Sequence, residues 1–105
     1  MELAAAVLSF SALGHEPRLE VYRLLLRAGA AGMAAGDIAR ETGARQNTLS
    51  SNLNILSAAG LISSRREGRS IIYSAVNERI GEIVAFLMED SVTETPRSAL
   101  QTLGK

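Results

Sequence analysis

Cysteine is absent from the 105-residue chain, which excludes disulfides, thiolate metal sites and thiol redox chemistry together. Tryptophan is absent as well and aromatics make up only 4%, so the core has to be aliphatic. One histidine, His15, and no acid pair in a glycine-rich or strand-end setting give no acid, base and nucleophile set. Neither an enzyme nor a cofactor is expected. No apolar run comes near the roughly 18 residues of a membrane span, and the N-terminus has no basic segment leading to a cleavage site. The expected setting is cytoplasmic, with no membrane partner.

What is present suits one small domain. Hydrophobic residues make up 47% of the chain, ample for a modest core. Formal net charge is zero but unevenly placed: residues 40–75 hold five arginines against two glutamates, whereas residues 76–105 hold three bases against five acids. All the basic residues except Lys105 are arginine, whose planar fork suits phosphate and guanine.

Residues 3–13 are alanine-rich and apolar on more than one side, with Leu3, Val7 and Phe10 available for packing. A helix of this kind is poorly solvated alone. Gly14 ends it, and Pro17 opens a helix to about residue 28, in which Leu19, Tyr22, Leu25 and Leu26 alternate with charged positions at helical spacing. Residues 29–36, GAAGMAAG, read as a loop. The stretch 37–61, DIARETGARQNTLSSNLNILSAAGL, then carries a short helix over 37–42, a break at Gly43, and a helix over 46–59 that stops at Gly60. At about 100° per residue, Leu49, Leu53 and Leu56 share one side of that second helix, and Asn47, Ser50, Ser51 and Asn54 share the other. The spacing of Ala39, Gly43 and Leu49 lets two helices cross closely at a steep angle, as a helix-turn-helix requires. The outward Asn and Ser side chains suit base edges in a major groove. The plainer reading of such a face is solvation.

After Gly60 the pattern changes to alternation. Residues 61–66 and 69–76 read as strands around Glu67 and Gly68, a hairpin whose turn needs the positive φ that glycine accepts. A hairpin directly after a helix-turn-helix makes the fold mainly α with a β-hairpin wing, a winged helix. Arg65, Arg66 and Arg69 cluster at the wing tip, within reach of phosphates or an adjacent minor groove, and Arg45 adds a cation beside the helix. Asn77 can cap a last helix to about residue 90, with Ile80, Ile83, Val84 and Leu87 on one face. Leu3, Val7, Phe10, Ile80, Val84 and Leu87 are more apolar surface than one small core absorbs, which implies a two-fold homodimer through the terminal helices. The domain spans residues 1–90. The polar tail, 91–105, has one turn signal at Thr95 and Pro96.

The segments ALGHEPRLEVYRLL and DIARETGARQNTLSSNLNILSAAGLISSRREGRSIIYS resemble the opening, recognition helix and wing of the arsenic-repressor (ArsR) family of bacterial winged-helix regulators, over about residues 8–90. Gln46, Thr48, Leu49, Ser50 and Leu53 carry the likeness, with Ala59, Gly60, Leu61, Arg66, Glu67, Gly68, Arg69 and Tyr73. The resemblance implies a homodimeric repressor that holds a double-stranded DNA operator until an effector releases it, and it adds Gln46 and Thr48 to the DNA-facing set. The chain also departs from the family. Metal sensors of the family often hold thiolates in the first motif helix just before its acidic residue, where this chain has Ala34, Ala35 and Gly36; others chelate zinc with His and carboxylates across the last helix, where this chain offers only Glu78, Glu82, Glu89 and Asp90. Asn52 and Asn54 stand where the family often has a histidine and a base. Ser91 and Val92 stand where a subgroup of arsenite sensors has adjacent cysteines, so no metal is expected and Ser91 marks a lost thiolate position. Natural loss of the sensor and replacement of a cysteine leave the same sequence. A competing reading, favoured by the zero net charge and the missing helix cations, is a winged-helix protein-interaction module without specific DNA binding.

Overall fold

The computed structural model describes residues 1–89. Its elements are α1 (Leu3–Leu13), α2 (Glu16–Ala28), a 3-10 turn (Gly29–Ala31), β1 (Met33–Ala34), α3 (Ala35–Thr42), α4 (Gln46–Ala58), β2 (Ile62–Glu67), β3 (Ser70–Ala75) and α5 (Asn77–Glu89). The three strands form one antiparallel sheet in the order β1-β3-β2. Val21, Tyr22 and Leu25 of α2, Ile38 of α3, and Leu49, Leu53 and Leu56 of α4 meet in the core, which Leu61, Ile62 and Ile83 close. It is aliphatic apart from Tyr22, as the composition requires.

The first helix packs the opposite way from an ordinary surface helix. Its buried residues are Ala6, Ser9 and Ala12, while Leu3, Val7, Leu8 and Phe10 are exposed. The small side chains let α1 lie close on α2 and α4, and the Ser9 hydroxyl is satisfied by donating to the Ala5 carbonyl at 3.0 Å. At the other end of the chain α5 divides its apolar residues. Ile83 is buried and Ile80 packs partly against the core, whereas Val84 and Leu87, on the same face, are both 52% exposed. The stripe expected over Ile80, Ile83, Val84 and Leu87 is one face at helical spacing, covered by the core near Ile80 and Ile83 and uncovered at Val84 and Leu87.

Several boundaries differ from the sequence reading. Met33 and Ala34 lie in the presumed loop, yet they pair with Tyr73 and Ile72 as a third strand, and α3 starts directly afterwards at Ala35. In the hairpin, Glu67 pairs with Ser70, so Gly68 and Arg69 form the turn in place of Glu67 and Gly68. Gly68 has φ 62° and Arg69 a negative φ, the pattern of a type II′ turn with glycine first. Asn77 is the first residue of α5 instead of its cap, and the Arg79 amide donates to the Val76 carbonyl at 3.0 Å. The tail from residue 91, with its turn signal at Thr95 and Pro96, lies outside the described residues.

One buried group is costly. The Tyr22 hydroxyl is buried without a hydrogen-bond partner among the described residues. Burial pushes its pKa up from 10.0, with the nearby Arg79 guanidinium opposing the rise. A raised folded-state pKa means that above about pH 10 the unfolded chain loses the phenolic proton first, so this group's contribution is complete below pH 10 and is lost as pH climbs through the folded value. Tyr22→Phe should leave neutral stability unchanged or raise it by up to about 1 kcal/mol, because it removes an unsatisfied polar atom. Denaturation from pH 8 to 11 should also show a shallower alkaline decline in the variant; an identical decline would show that Tyr22 does not set it.

Candidate nucleic-acid interface

The turn between α3 and α4 is built from local bonds. Gly43 adopts φ 72°, and its amide donates to the Ala39 carbonyl at 2.8 Å, closing α3. The Thr42 hydroxyl donates to the Ile38 carbonyl at 2.8 Å and accepts from the Ala44 amide at 3.3 Å. Three residues thus redirect the chain into α4, and Leu49, Leu53 and Leu56 anchor that helix by burial. Asn47, Ser50, Ser51 and Asn54 are all exposed on its other side, with Gln46 and Thr48 exposed at its first turn. The polar face is thus free of any contact with the domain's own core. The Asn47 carboxamide oxygen accepts from the Thr48 amide at 2.9 Å, which holds that side chain against the start of the helix.

Asn52 behaves differently from its polar neighbours. It is only 5% exposed and faces α2.

The three wing arginines do not form one cluster. Side chains alternate across a strand, so Arg65, opposite Ile72, shares one face of the hairpin with Glu67 and Ser74, whereas Arg66, opposite Ile71, lies on the other. The Arg65 guanidinium donates to the Ala31 carbonyl at 2.8 Å, the Ala30 carbonyl at 3.3 Å, the Ser74 hydroxyl at 3.1 Å and the Glu67 carboxylate at 2.6 Å. These bonds tie the wing to the 3-10 turn before β1. Arg65 is therefore turned away from any ligand at the wing tip, a role that strand parity could have revealed. Arg40 pairs with Asp37 and Arg79 with Glu82, but Arg45, Arg66 and Arg69 have no ion-pair partner among the described residues. Those three cations and the polar face of α4 are exposed. Among the described residues there is no group of three metal-ligating side chains, and Ser91 lies outside them.

Residues 13–65 match a family model described as a helix-turn-helix domain. The chain is 37% identical over 86 residues to the HTH-type transcriptional regulator YgaV of Escherichia coli, covering 82% of this chain and 83% of that one. The chain belongs to the ArsR-type family of winged helix-turn-helix transcriptional regulators. Nodulation protein NolR of Rhizobium meliloti is another relative of this regulator, 33% identical over 101 residues, with 90% of this chain and 79% of NolR covered. An ArsR-like transcriptional regulator from Rhodococcus superposes with a TM-score of 0.74 at 29% identity, covering 82% of this chain and 78% of the other. The winged helix-turn-helix domain Mb0332 of Mycobacterium bovis, described as homodimeric, superposes with a TM-score of 0.66 at 27% identity and 89% coverage of both chains. No described helix of this regulator is long and apolar enough to cross a membrane.

Proposed function

We propose that this regulator is a homodimeric repressor that binds a specific double-stranded DNA operator in the cytoplasm. The observation that carries the reading is the exposed face of α4, Asn47, Ser50, Ser51 and Asn54, together with the exposed and unpaired cations Arg45 before the helix and Arg66 and Arg69 on the wing. In this reading α4 enters the major groove, where Asn can bond adenine through both ends of its carboxamide, with Gln46 and Thr48 beside it. Arg45, Arg66 and Arg69 hold phosphates or line the adjacent minor groove. Arg65 contributes by orienting the wing. The dimer forms through α1 and α5, where Leu3, Val7, Phe10, Val84 and Leu87 are exposed and Ile80 adds a half-buried edge.

A mobility-shift titration against the promoter of its own gene tests this. Each phosphate contact releases counterions, so affinity should fall with a log-log salt slope of about 0.9 per contact. Arg66→Ala combined with Arg69→Ala should flatten that slope for every DNA sequence alike. Unchanged affinity at all salt concentrations would remove the wing from the interface, and equal binding to operator and random duplex would favour the protein-interaction module instead. Release by arsenite is not expected from a cysteine-free chain, because soft metalloids need thiolate ligands. Dissociation of the operator complex by micromolar arsenite would refute the view that a thiolate sensor position was lost at Ser91.

A further inference from the structure

A cleft of about 350 Å³ behind the wing has Arg65, already bonded within the chain, in its lining, but a second cleft, between the N-terminal halves of α2 and α4, has unused chemistry. It measures about 270 Å³. Its floor includes Asn52, 5% exposed, whose carboxamide makes no hydrogen bond among the described residues. A carboxamide this enclosed, with no protein partner, bonds whatever the adjoining space admits. The accessible surface it keeps opens on the cleft. Thr48, whose hydroxyl is also unpaired among the described residues, stands one turn away on α4.

The walls and rim define what fits. Pro17, Val21 and Ala44 make the middle of the cleft apolar. Glu16 and Glu20, four positions apart on one face of α2, stand at the rim, and neither has an ion-pair partner among the described residues. The cleft thus offers anionic oxygens at its mouth, apolar walls between, and a carboxamide able to donate and accept at its floor. We propose that it binds a small organic cation, one with an ammonium or amidinium group at one end of a short apolar body and a hydrogen-bonding group at the other. The cation lies between Glu16 and Glu20, the body lies against Pro17 and Val21, and the distal polar group bonds Asn52.

The test uses the full chain without DNA, so its outcome is independent of operator binding. Tyramine, an arylethylammonium with a distal hydroxyl, is titrated in while backbone amide resonances are followed. Saturable shifts confined to Val21, Thr48, Asn52 and their neighbours are expected, with a dissociation constant of about 1 mM or tighter. Glu16→Gln with Glu20→Gln, both at exposed positions, should weaken binding by about tenfold or more, since charge-assisted bonds are the stronger class. Phenethylamine lacks the hydroxyl and should bind the unaltered protein about tenfold more weakly than tyramine, a difference that Asn52→Ala should abolish. No saturable shift up to about 10 mM, shifts centred elsewhere, or equal affinity for the two amines would each overturn the proposal.

Discussion

Val84→Asp should convert the protein from dimer to monomer. Val84 and Leu87 are each 52% exposed on the apolar face of α5, and among the described residues nothing covers them. In a two-fold interface the substitution buries an unpaired carboxylate from each subunit, a change that costs about 3 kcal/mol or more and weakens dimerisation by a factor of about 100 or more. Sedimentation at fixed concentration should read the difference directly. Operator affinity should fall in parallel by about 10²- to 10⁴-fold, because joint engagement of two half-sites is lost even though each recognition helix is unaltered. Retention of a dimer with the original constant would place the interface elsewhere. The inverted packing of α1 sharpens the expectation, since Leu3, Val7, Leu8 and Phe10 would stay in water in the monomer. Thermal stability of the unaltered protein should therefore rise with its concentration, whereas that of Val84→Asp should not.

Gly32→Ala should destabilise the fold far more than a typical glycine substitution. Gly32 has φ 68°, and a Cβ there would meet the Tyr73 carbonyl oxygen and the Ser74 hydroxyl at 2.5 Å and an Ile72 methyl at 2.8 Å. The carbonyl belongs to β3, the central strand, which is held by β1 on one side and β2 on the other, so it cannot retreat without breaking a ladder. Adding the left-handed strain to that collision gives a loss on the order of 3 kcal/mol, or about 10–20 °C in Tm for a domain of this size. Gly43→Ala gives a lower reference, because Gly43 lies in the left-handed helical region, φ 72° and ψ 10°, with open space around its Cβ position, whereas Gly32, at ψ −169°, lies where essentially only glycine is found. The cost of Gly43→Ala should be about 1 kcal/mol, from backbone strain alone. Chemical denaturation of the two variants should show this difference; equal losses would mean that neither the contact with β3 nor the rarer backbone region of Gly32 adds a cost.

The helix-turn-helix was legible because its determinants are local. The Gly43 break, the leucines at 49, 53 and 56, and the polar residues between them fix both the turn and the orientation of α4 with little help from the rest of the chain. The hairpin was legible for the same reason, although its turn moved by one residue: Gly68 fits more than one turn position, and the choice was made by cross-strand pairing. Strand β1 could not be read in this way. Met33 and Ala34 have no alternating pattern long enough to declare a strand, and their conformation comes from Tyr73 and Ile72, almost forty positions later. Asn52 was similarly hidden. A polar residue between Ser51 and Leu53 reads as exposed until α2 is laid across it. The destination of Arg65 lay within reach of strand parity, but its partners, the Ala30 and Ala31 carbonyls, depend on where the 3-10 turn docks.

That docking has a mechanical consequence. β1 runs into α3 without an intervening residue, β1 is hydrogen-bonded to the wing's inner strand, and Arg65 clamps the wing to the turn just before β1. The wing and the recognition helix cannot swing independently. In the proposed dimer each subunit would carry a single stiff reading head, and a signal that released the proposed operator would have to alter the separation or tilt of the two heads at the joint between subunits. Base-pair insertions at the centre of a palindromic operator should accordingly be tolerated only as far as that joint can flex, whatever the sequence of each half.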